Sequence, residues 1–369
     1  MKVVIVAPVA PPYGGMALQA RQLERLLRRD GVDASICASN FALPFRIMDR
    51  VPVLRTCARA SLIWFRLWSS VRHADVVHIL AASWLYFFVV VGPAVLVGRA
   101  CRARVVLNYR GGDAKAFFAK YGWLARLVFT RASTVTAPSE FLAVLIRKRF
   151  DLPVTIVPNI VDSSRFTYQP RPRVRPNLLV TRHLEEIYDI ESVIKAFGLV
   201  QQRYAEASLW IAGTGSQAAS LRHLADTMGL GNVRFLGEVD HADLPDVYGQ
   251  RDIYVNASRI DNFPGALLEA SAAGLVVVTT NAGGIPLIYE NERTALLVDV
   301  GDWLGLAERI LYVVEHPDES IALTGAALAI VRSCDWKEVW RALAAVYDLQ
   351  LVDGTVKQTD SRGEQCVDG

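Results

Sequence analysis

The sequence has few of the side chains that hold metals or form disulfide frameworks. Its 369 residues include five scattered cysteines without a C-x-x-C pair and six histidines without an i, i+4 pair. These absences exclude a disulfide-stapled scaffold and give no support to a zinc site. D-x-D and G-x-S-x-G are also absent, so neither a metal-held diphosphate nor a serine nucleophile elbow is predicted. We therefore expect no metal, no resident cofactor and a reducing, cytoplasmic location.

A hydrophobic run long enough to cross a bilayer is also missing. The most apolar stretch, Ala81 to Val97, has 17 residues and contains Gly92 and Pro93, whereas a spanning helix needs about 20. We expect a buried helix between two strands, and the positive mean hydropathy leaves a transmembrane helix as the alternative. Met1 to Pro8 has no convincing cleavage site for a signal peptide, so it is predicted to form a buried first strand.

Lysine is scarce, since 33 of the 40 basic residues are arginine, a ratio that a genome-wide codon bias can explain. Such a bias does not explain where the charge lies. Residues 1–166 hold 23 Lys and Arg against 9 Asp and Glu, whereas the rest of the chain holds 17 against 28. A total charge of +3 therefore hides a first half at +14 and a second half at −11. The asymmetry predicts an anionic partner for the first half.

The length and the pattern of the chain predict two α/β domains with parallel sheets. Short β-branched runs alternate with longer amphipathic segments, which is typical of βαβ units. We expect the strands at 3–7, 34–38, 76–79, 105–108, 134–137, 155–157, 178–181, 208–212, 233–236, 253–256, 276–279 and 295–298. The predicted divisions are a first domain at 1–162, a linker at 163–175, a second domain at 176–335, a helix at 336–351 that returns to the first domain, and a disordered tail at 352–369.

The strongest local pattern follows the predicted strand 253–256. Asp261 lies in a loop, and Glu269 lies eight residues later inside the next helix. Two carboxylates at this spacing can hold separated hydroxyl groups of one extended ligand, and the amides near Gly265 can hold an anion. Each carboxylate alone is also compatible with helix capping or with a solvated helix face.

This segment resembles the E-x7-E motif of glycosyltransferase family 4, the retaining sugar-nucleotide transferases of the GT-B fold, with Asp261 in place of the first Glu. Five other segments agree with the family in order: PVAPPYGG at 8–15, VPNIVD at 157–162, RHLEEIY at 182–188, IAGTG at 211–215 and NAGGIP at 281–286. The resemblance extends from residue 1 to about residue 347. It implies two Rossmann-like domains that face each other across a cleft, the first for the acceptor and the second for the donor.

The resemblance also implies roles for individual residues. Glu269 would bind the ribose hydroxyls, Asp261 the transferred sugar and Arg182 the diphosphate, which makes these three the catalytic candidates. The amides of the first glycine loop would close over the phosphates. The donor-binding candidates are Gly14, Gly15, Tyr188, Gly213, Gly215, Gly237, Glu238, Phe263, Pro264 and Gly265.

Two positions depart from the family pattern. Tyr188 stands where the family usually has Lys as a second diphosphate cation, and Arg110 or Arg259 could replace that charge. The family often has a His after the fourth strand, where this sequence offers Tyr109, Arg110 and Asp113 as acceptor-side candidates. Arg110 stays protonated at neutral pH and cannot act as a general base, whereas Asp113 is a candidate base or helix cap.

The family resemblance implies a retaining transfer of a sugar from a nucleotide-diphosphate sugar to a glycan or lipid-linked acceptor, in bacterial surface polysaccharide or glycolipid synthesis. Residues 45–72 carry six Arg and one Asp, and Trp64, Phe65 and Trp68 add amphipathic aromatic bulk. This composition suits peripheral contact with the inner face of an anionic cytoplasmic membrane, and an ordinary surface helix is the alternative. No nucleic-acid-binding motif is present, so nucleic acid is not an expected partner.

Two other functions are compatible with the sequence. A degenerate family member could bind nucleotide or glycan without turnover, given Asp261, Tyr188 and the missing His. An NAD(P)-dependent oxidoreductase is suggested by the loose G-x-G-x-x-A pattern that begins at Gly213, with Glu238 at the distance of a ribose carboxylate.

Overall fold

The computed structural model describes residues 1–10, 14–41, 52–352 and 355–357, with backbone alone for 52–60, 350–352 and 355–357. Within this part, the chain divides into two compact units. The first comprises Met1–Pro138, Leu142–Ile160 and the chain from Lys337 onward, and the second comprises Ser139–Phe141 and Val161–Trp336. Each unit is built on a six-stranded parallel sheet, so the predicted α/β class is confirmed.

The first unit contains the strands β1 Lys2–Ala7, β2 Asp33–Ala38, β3 Val76–Ala81, β4 Arg104–Tyr109, β5 Thr134–Ala137 and β6 Thr155–Ile156. They pair in the order β2-β1-β3-β4-β5-β6, and every pair is parallel. The sequence of β1, KVVIVA, is apolar almost throughout because a central parallel strand is covered on both faces.

The helices of this unit are α1 Gly15–Arg29, α2 Pro52–Val71, α3 Gly92–Ala100, α4 Ala114–Phe129 and, from Leu142 onward, α5 Glu140–Phe150. A π-helical turn, Phe87–Val91, leads directly into α3. The apolar run 81–97 is thus the end of a strand, this turn and most of α3, and many of its side chains are buried as predicted. Within the described residues, every helix is too short or too polar to traverse a bilayer.

The second unit contains the strands β7 Asn177–Thr181, β8 Ser208–Ala212, β9 Val233–Gly237, β10 Ile253–Asn256, β11 Val276–Thr280 and β12 Leu296–Val298. Its helices are α6 Ile190–Arg203, α7 Ala218–Thr227, α8 Leu244–Gly249, α9 Gly265–Ala272, α10 Trp303–Glu315 and α11 Pro317–Ser333. The strands pair in the order β12-β11-β10-β7-β8-β9. Two apolar clusters, one centred on α6 and α10 and the other on α9 and α11, form its core.

The segment 163–175, expected to be a linker, packs onto the second unit. Phe166 and Arg171 are both buried. The Arg171 guanidinium donates to the backbone carbonyls of Arg251 and Ala273 at 2.8 and 2.9 Å. The sequence pattern predicted a solvated linker at 163–175. The segment is instead fixed on the unit, because backbone carbonyls accept hydrogen bonds from the buried Arg171 guanidinium.

The last helix, α12 Trp336–Tyr347, belongs with the first unit from Lys337 onward. The Tyr347 hydroxyl lies 2.8 Å from Nδ1 of His78, and Arg104 Nε donates to the Val346 carbonyl at 2.7 Å. After it, β13 Gln350–Val352 and β14 Thr355–Lys357 form an antiparallel pair. This pair lies partly in the tail predicted to be disordered, whose residues 353–354 and 358–369 are outside the described residues.

Candidate functional site

The topology of the second sheet places a crevice at the end of β7. From β7 the chain proceeds through β8 and β9 on one side, and it then returns to build β10, β11 and β12 on the other. In open parallel sheets, ligands bind beyond the carboxyl ends of the strands where the strand order reverses. Arg182 follows β7 and Asp261 follows β10, so two of the three predicted catalytic residues lie at this edge.

Arg182 and Asp261 form an ion pair inside this edge. Arg182 Nη2 donates to Asp261 Oδ2 at 2.8 Å, and Arg182 Nε donates to Asn256 Oδ1 at 3.2 Å. The buried Asn256 also accepts from Ser258 and donates to Thr279, so its amide is held from both sides. The guanidinium is therefore oriented by a fixed amide and a fixed carboxylate.

Burial opposes the charge on both members of this pair. Burial alone would lower the pKa of Arg182, but Asp261 and neighbouring tyrosines raise it above its ordinary value, so the guanidinium stays charged. Burial raises the pKa of Asp261, whereas Arg182 and the amides of Phe263 and Asn262 lower it. The pair thus depends on these hydrogen bonds to remain ionised in a largely buried position.

Tyr188 lies beside Arg182, where the family pattern predicts a second cation. The Arg182 guanidinium carbon is 5.3 Å from the centre of the Tyr188 ring, a cation–π contact. Arg259, one proposed replacement for the missing charge, pairs with Asp189 at 3.4 Å and with Glu186 at 3.7 Å. The Tyr188 ring therefore supports the single arginine and adds no positive charge.

Two glycines let the 281–286 loop pack against the Asp261 loop. Gly284 N donates to the Asp261 carbonyl at 2.7 Å. A Cβ at Gly283, whose φ is +58°, would lie 2.2 Å from that carbonyl oxygen, and one at Gly284 would lie 2.3 Å from the Asn262 carbonyl. The G-G pair is thus required by backbone packing that positions Asp261.

Close backbone packing also explains the two glycines of the G-x-G turn after β8. Gly213 has φ +144°, and a Cβ there would lie 1.9 Å from the Arg182 carbonyl oxygen. A Cβ at Gly215 would lie 2.3 Å from the Leu184 carbonyl. Packing against the 182–184 backbone therefore explains both glycines, and the pattern no longer needs a dinucleotide to account for it. Gly213 N also donates to the carbonyl of Gly237 at 2.7 Å, which places the turn beside the end of β9 and the exposed Glu238.

Glu269 lies on α9 and its two oxygens face two different donors. The Tyr248 hydroxyl donates to Oε2 at 3.0 Å, and His241 Nε2 lies 3.5 Å from Oε1. Thr181 Oγ1 lies 2.7 Å from the Tyr248 hydroxyl and belongs to the residue before Arg182. This contact chain connects Glu269 to the arginine site through β7.

Arg165 determines the tautomer of His241. Its guanidinium bonds to His241 Nδ1 and to the His241 carbonyl oxygen. Since an arginine can only donate, Nδ1 must be the acceptor and the imidazole proton must be on Nε2. That N–H faces Glu269, so the carboxylate accepts a hydrogen bond from Tyr248 on one oxygen and has a longer polar contact with His241 on the other.

The loop before α9 supplies backbone donors. Pro264 occupies the N-cap position of α9 without a side-chain capping bond, and Gly265 is the first helical residue. Phe263 N instead donates to Asp261 Oδ1 at 3.2 Å. The Asp261 carboxylate is therefore bonded within the loop that leads into α9.

In the first unit, the predicted glycine loop leads into α1. Gly14 is the N-cap residue of α1, which begins at Gly15, has no side-chain capping bond and carries no acidic residue in its first turn. Nothing lies within 4 Å of a Cβ built at either glycine. Residues 11–13 of the predicted loop are outside the described residues.

The three acceptor-side candidates differ in their placement. Tyr109 is fully buried, its hydroxyl lies 2.8 Å from Ser83 Oγ, and burial raises its pKa. It belongs to the core, where phenylalanine rings surround it, so the prediction that it contacts an acceptor is wrong. Asp113 is exposed at the N-cap of α4 and makes no side-chain capping bond.

Arg110 occupies a half-buried position after β4. Its guanidinium bonds to the side-chain oxygens of Asn108 and Asn159. Burial lowers its pKa to about 10, so it remains a cation at neutral pH. Because both of these partners are neutral amides, they do not neutralise the positive charge of Arg110 at the carboxyl end of the sheet.

Sequence reasoning missed Tyr248, His241 and Arg165. They lie far from Glu269 along the chain, and none belongs to a segment that resembled the family. The sequence signal for Tyr248 and His241 was their position between β9 and β10, two strands of the second unit, where the donor site is expected. Across the described residues, no cluster of three or more His, Cys, Asp or Glu side chains could hold a metal ion.

Comparison with solved structures identifies the fold class. HepE from Anabaena, in a complex with UDP, superposes with a TM-score of 0.73 at 16% identity, over 94% of this chain and 100% of that chain. Sucrose-phosphate synthase from Thermosynechococcus elongatus superposes with a TM-score of 0.71 at 18% identity, over 94% of this chain and 98% of that chain. The architecture is therefore the GT-B fold.

Two family models match the chain in succession. A model described as Glycosyltransferase Family 4 matches residues 13–165, and one described as Glycosyl transferases group 1 matches residues 169–327. The two matches together span most of both units. The chain belongs to glycosyltransferase family 4, as its motifs predicted.

Curated relatives match a part of the chain. A segment of 198 residues is 31% identical to glycogen synthase of Mycobacterium tuberculosis, and it covers 53% of this chain and 48% of that protein. A segment of 252 residues is 27% identical to the GDP-mannose-dependent alpha-(1-6)-phosphatidylinositol monomannoside mannosyltransferase of the same species, over 61% of this chain and 65% of that protein. The match thus spans about half of the first relative's length.

Proposed function

We propose that this chain is a retaining glycosyltransferase that moves a hexosyl group from a nucleoside-diphosphate sugar to a glycan or lipid-linked acceptor. The observation that carries the proposal is one constellation at the carboxyl edge of the second sheet. Arg182 supplies a fixed cation there, and Glu269 supplies an oriented carboxylate connected to it through Tyr248 and Thr181. Family membership supports this assignment.

In this proposal, the second unit binds the donor. Glu269 accepts hydrogen bonds from the ribose hydroxyls, and Arg182 neutralises the diphosphate as it departs. The amides at the start of α9 contribute further donors, as do those at Gly14 and Gly15. UDP in the HepE complex and GDP-mannose in the name of the mannosyltransferase make both nucleotides part of the first test.

The transfer breaks the bond between the anomeric carbon and the β-phosphate oxygen, and it forms a bond from the acceptor oxygen to the same face of the sugar. The acceptor proton passes to the departing diphosphate, so atoms and charge balance without an enzyme nucleophile. This route suits a site in which the Asp261 oxygens already accept from Arg182 and from Phe263 N. Neither a metal ion nor another cofactor takes part in the proposed reaction.

The acceptor side is assigned to the basic first unit. A lipid-linked acceptor in bacterial surface polysaccharide or glycolipid synthesis agrees with the lipid substrate in the mannosyltransferase's name. The proposal has the protein act on the cytoplasmic side of the membrane, in peripheral contact through residues 45–72. Residues 45–51 of that segment are outside the described residues.

The test is a panel of UDP-, GDP- and ADP-sugars with lipid-linked acceptors, with the product's anomeric configuration read by NMR. The proposal predicts transfer with one donor class and retention of the donor's configuration. Glu269→Ala should abolish transfer while the exposed Glu206→Ala, a matched control, should leave it unchanged. An inverted product, or tighter binding of NAD(P) than of every nucleoside diphosphate, would overturn the proposal.

A second candidate, nucleotide binding without turnover, is favoured by one observation. Asp261 is bonded to Arg182, and Tyr188 replaces a cation, so this site has fewer charged groups for the diphosphate than the family pattern implies. Binding of a nucleoside diphosphate with no transfer across the whole panel would select this candidate.

A further inference from the structure

Three helices of the first unit lie side by side on one face of its sheet. From β2 to β5, each successive strand is added in the same direction, and right-handed crossovers then place α2, α3 and α4 on the same face. A Cβ at Gly98 of α3 would lie 3.5 Å from Val77, whereas the next residue, His78, contacts Tyr347 of α12. The three helices therefore lie on one face of the sheet, with α5 packed beside α4, and α12 lies on the other face.

Neighbouring helices in this set contact one another. α2 packs against α3. The turn that precedes α3 packs against α4, since the Phe87 and Phe117 rings are 5.2 Å apart and the Phe88 and Tyr121 rings are 5.6 Å apart. The outward-facing side chains of the three helices thus form one continuous surface, which we call the three-helix face.

The three-helix face exposes large apolar side chains. Phe65 is 74% exposed and Trp123 is 67% exposed, although Ile63 and Leu67 of the same α2 helix are buried against the sheet. Isolated exposed hydrophobics are ordinary, but large apolar side chains exposed on three neighbouring helices mark an interaction surface. Its exposed members are Trp64, Phe65 and Trp68 on α2, Leu96 on α3, and Trp123 and Leu127 on α4.

The same face carries charge of one sign. The sequences of α2, α3, α4 and the π-helical turn contain no Asp or Glu. Their exposed cations in the described part are Arg66, Arg99, Lys115, Lys120 and Arg126. Aromatic rings among arginine and lysine side chains, without a carboxylate, complement an anionic lipid surface, where rings enter the interface and cations meet phosphates.

We propose that the three-helix face docks on the surface of an anionic bilayer. The contact then extends beyond residues 45–72 to α4, whose Trp123 and Leu127 lie about 50 residues further along the chain. Helix α4 begins at Ala114, directly after the loop with Arg110 and Asp113. Resting on the proposed function, this placement brings the acceptor-side loop to the membrane that holds a lipid-linked acceptor.

The test is co-sedimentation of the full chain with vesicles of phosphatidylcholine alone and with vesicles that also contain phosphatidylglycerol. We expect binding to the anionic vesicles that weakens as salt is raised. Trp123→Ser with Leu127→Ser on α4 should lower the partition coefficient about tenfold, and Trp64→Ser with Phe65→Ser and Trp68→Ser on α2 should do the same.

The matched control changes apolar side chains of similar exposure in the second unit, Val300→Ser with Leu304→Ser, and should bind as the wild type does. Circular dichroism and thermal unfolding check that each variant is folded. The proposal would be overturned if the wild-type protein did not bind anionic vesicles. It would also be overturned if the α4 variant bound them as the wild type does while the α2 variant did not. Self-association that the α4 changes abolish, without vesicle binding, would instead assign the face to a second copy of the chain.

The vesicle test separates this inference from the proposed transferase activity. Transfer to a water-soluble acceptor should be unchanged in the α2 and α4 variants, since no substituted residue lies in the donor site. A chain that binds anionic vesicles but transfers no sugar would preserve the docking surface and overturn the proposed function alone.

Discussion

Arg182 Nη2 donates to Asp261 Oδ2 at 2.8 Å, so the residues assigned to the diphosphate and to the sugar are bonded to each other. Asp261 Oδ1 accepts from Phe263 N, which leaves the carboxylate engaged on both oxygens. The shorter side chain at the first acidic position of the motif therefore acts within the protein, where it orients Arg182. We infer that Asp261 is a positioning residue for the cation.

Asp261→Asn tests this role through stability. The change keeps the size of the side chain and leaves the buried Arg182 without its carboxylate, which typically costs about 3 kcal/mol. Urea unfolding of the variant should show this loss, whereas the exposed Asp226→Asn should show almost none. A stability equal to that of the wild type would contradict an essential ion pair.

His241→Phe tests the orientation of Glu269. Removal of the Nε2–H group should weaken binding of the preferred nucleoside diphosphate about tenfold, or ~1.4 kcal/mol, because one carboxylate oxygen loses its polar contact with the imidazole. Binding of the matching 2′,3′-dideoxynucleotide should be almost unchanged. Calorimetric titration of both ligands measures the difference, and equal losses for the two would show that His241 has only a structural role.

Gly213→Ala tests the packing of the turn after β8. The new Cβ would lie 1.9 Å from the Arg182 carbonyl, and φ +144° suits only glycine. We expect a loss of at least about 2 kcal/mol in unfolding free energy and weaker nucleotide binding, because Arg182 must shift. Gly231→Ala, where a Cβ meets nothing within 4 Å, is the control. A Gly213→Ala protein as stable as this control would show that the turn tolerates the side chain.

The strands could be predicted because their sequences have a composition that is typical of central parallel strands. Runs such as KVVIVA and VVVTT are apolar and β-branched, and central parallel strands need both properties. Helix α4 was not predicted from the sequence because large apolar side chains lie on both of its faces, with Phe117 buried and Trp123 exposed. Amphipathic periodicity is the signal for a helix, and apolar residues on the exposed face obscure it.

The sequence predicted those residues of the candidate site that have a charged side chain within a recognisable motif. Arg182, Asp261 and Glu269 lie in short motifs whose order along the chain is informative. The groups around Glu269 could not be found this way. Tyr248 and His241 reach the carboxylate, and Arg165 reaches His241, only after the sheet has brought separate loops together. Tyr109 failed for the opposite reason, because its place in the sequence matched a site while its ring fills the core.

His78 makes the stability of the first unit depend on pH. Burial, with a smaller contribution from Arg110, lowers its pKa to about 3 from an ordinary 6.5. Between these two values the unfolded chain binds a proton that the folded chain does not, so stability falls as the pH falls. The expected loss from this group is about 1.4 kcal/mol per pH unit below 6.5, with no contribution above it.

Denaturant unfolding at pH values from about 7 to 4 measures this dependence. His78→Gln, whose amide is neutral throughout, should lose this component of the slope, whereas the exposed His223→Gln should retain it. A His78→Gln protein with the full wild-type slope would assign the pH dependence to other groups.

The release of nucleoside diphosphate from a nucleotide sugar, in the presence of a lipid-linked acceptor, tests the proposed transferase most directly. Wild-type protein should turn over one donor class, and Glu269→Gln should reduce kcat/KM at least about 100-fold, or ~2.7 kcal/mol, without a change in unfolding temperature. Wild-type protein that binds a nucleoside diphosphate but releases none from any donor would contradict the account, as would a Glu269→Gln variant with wild-type turnover.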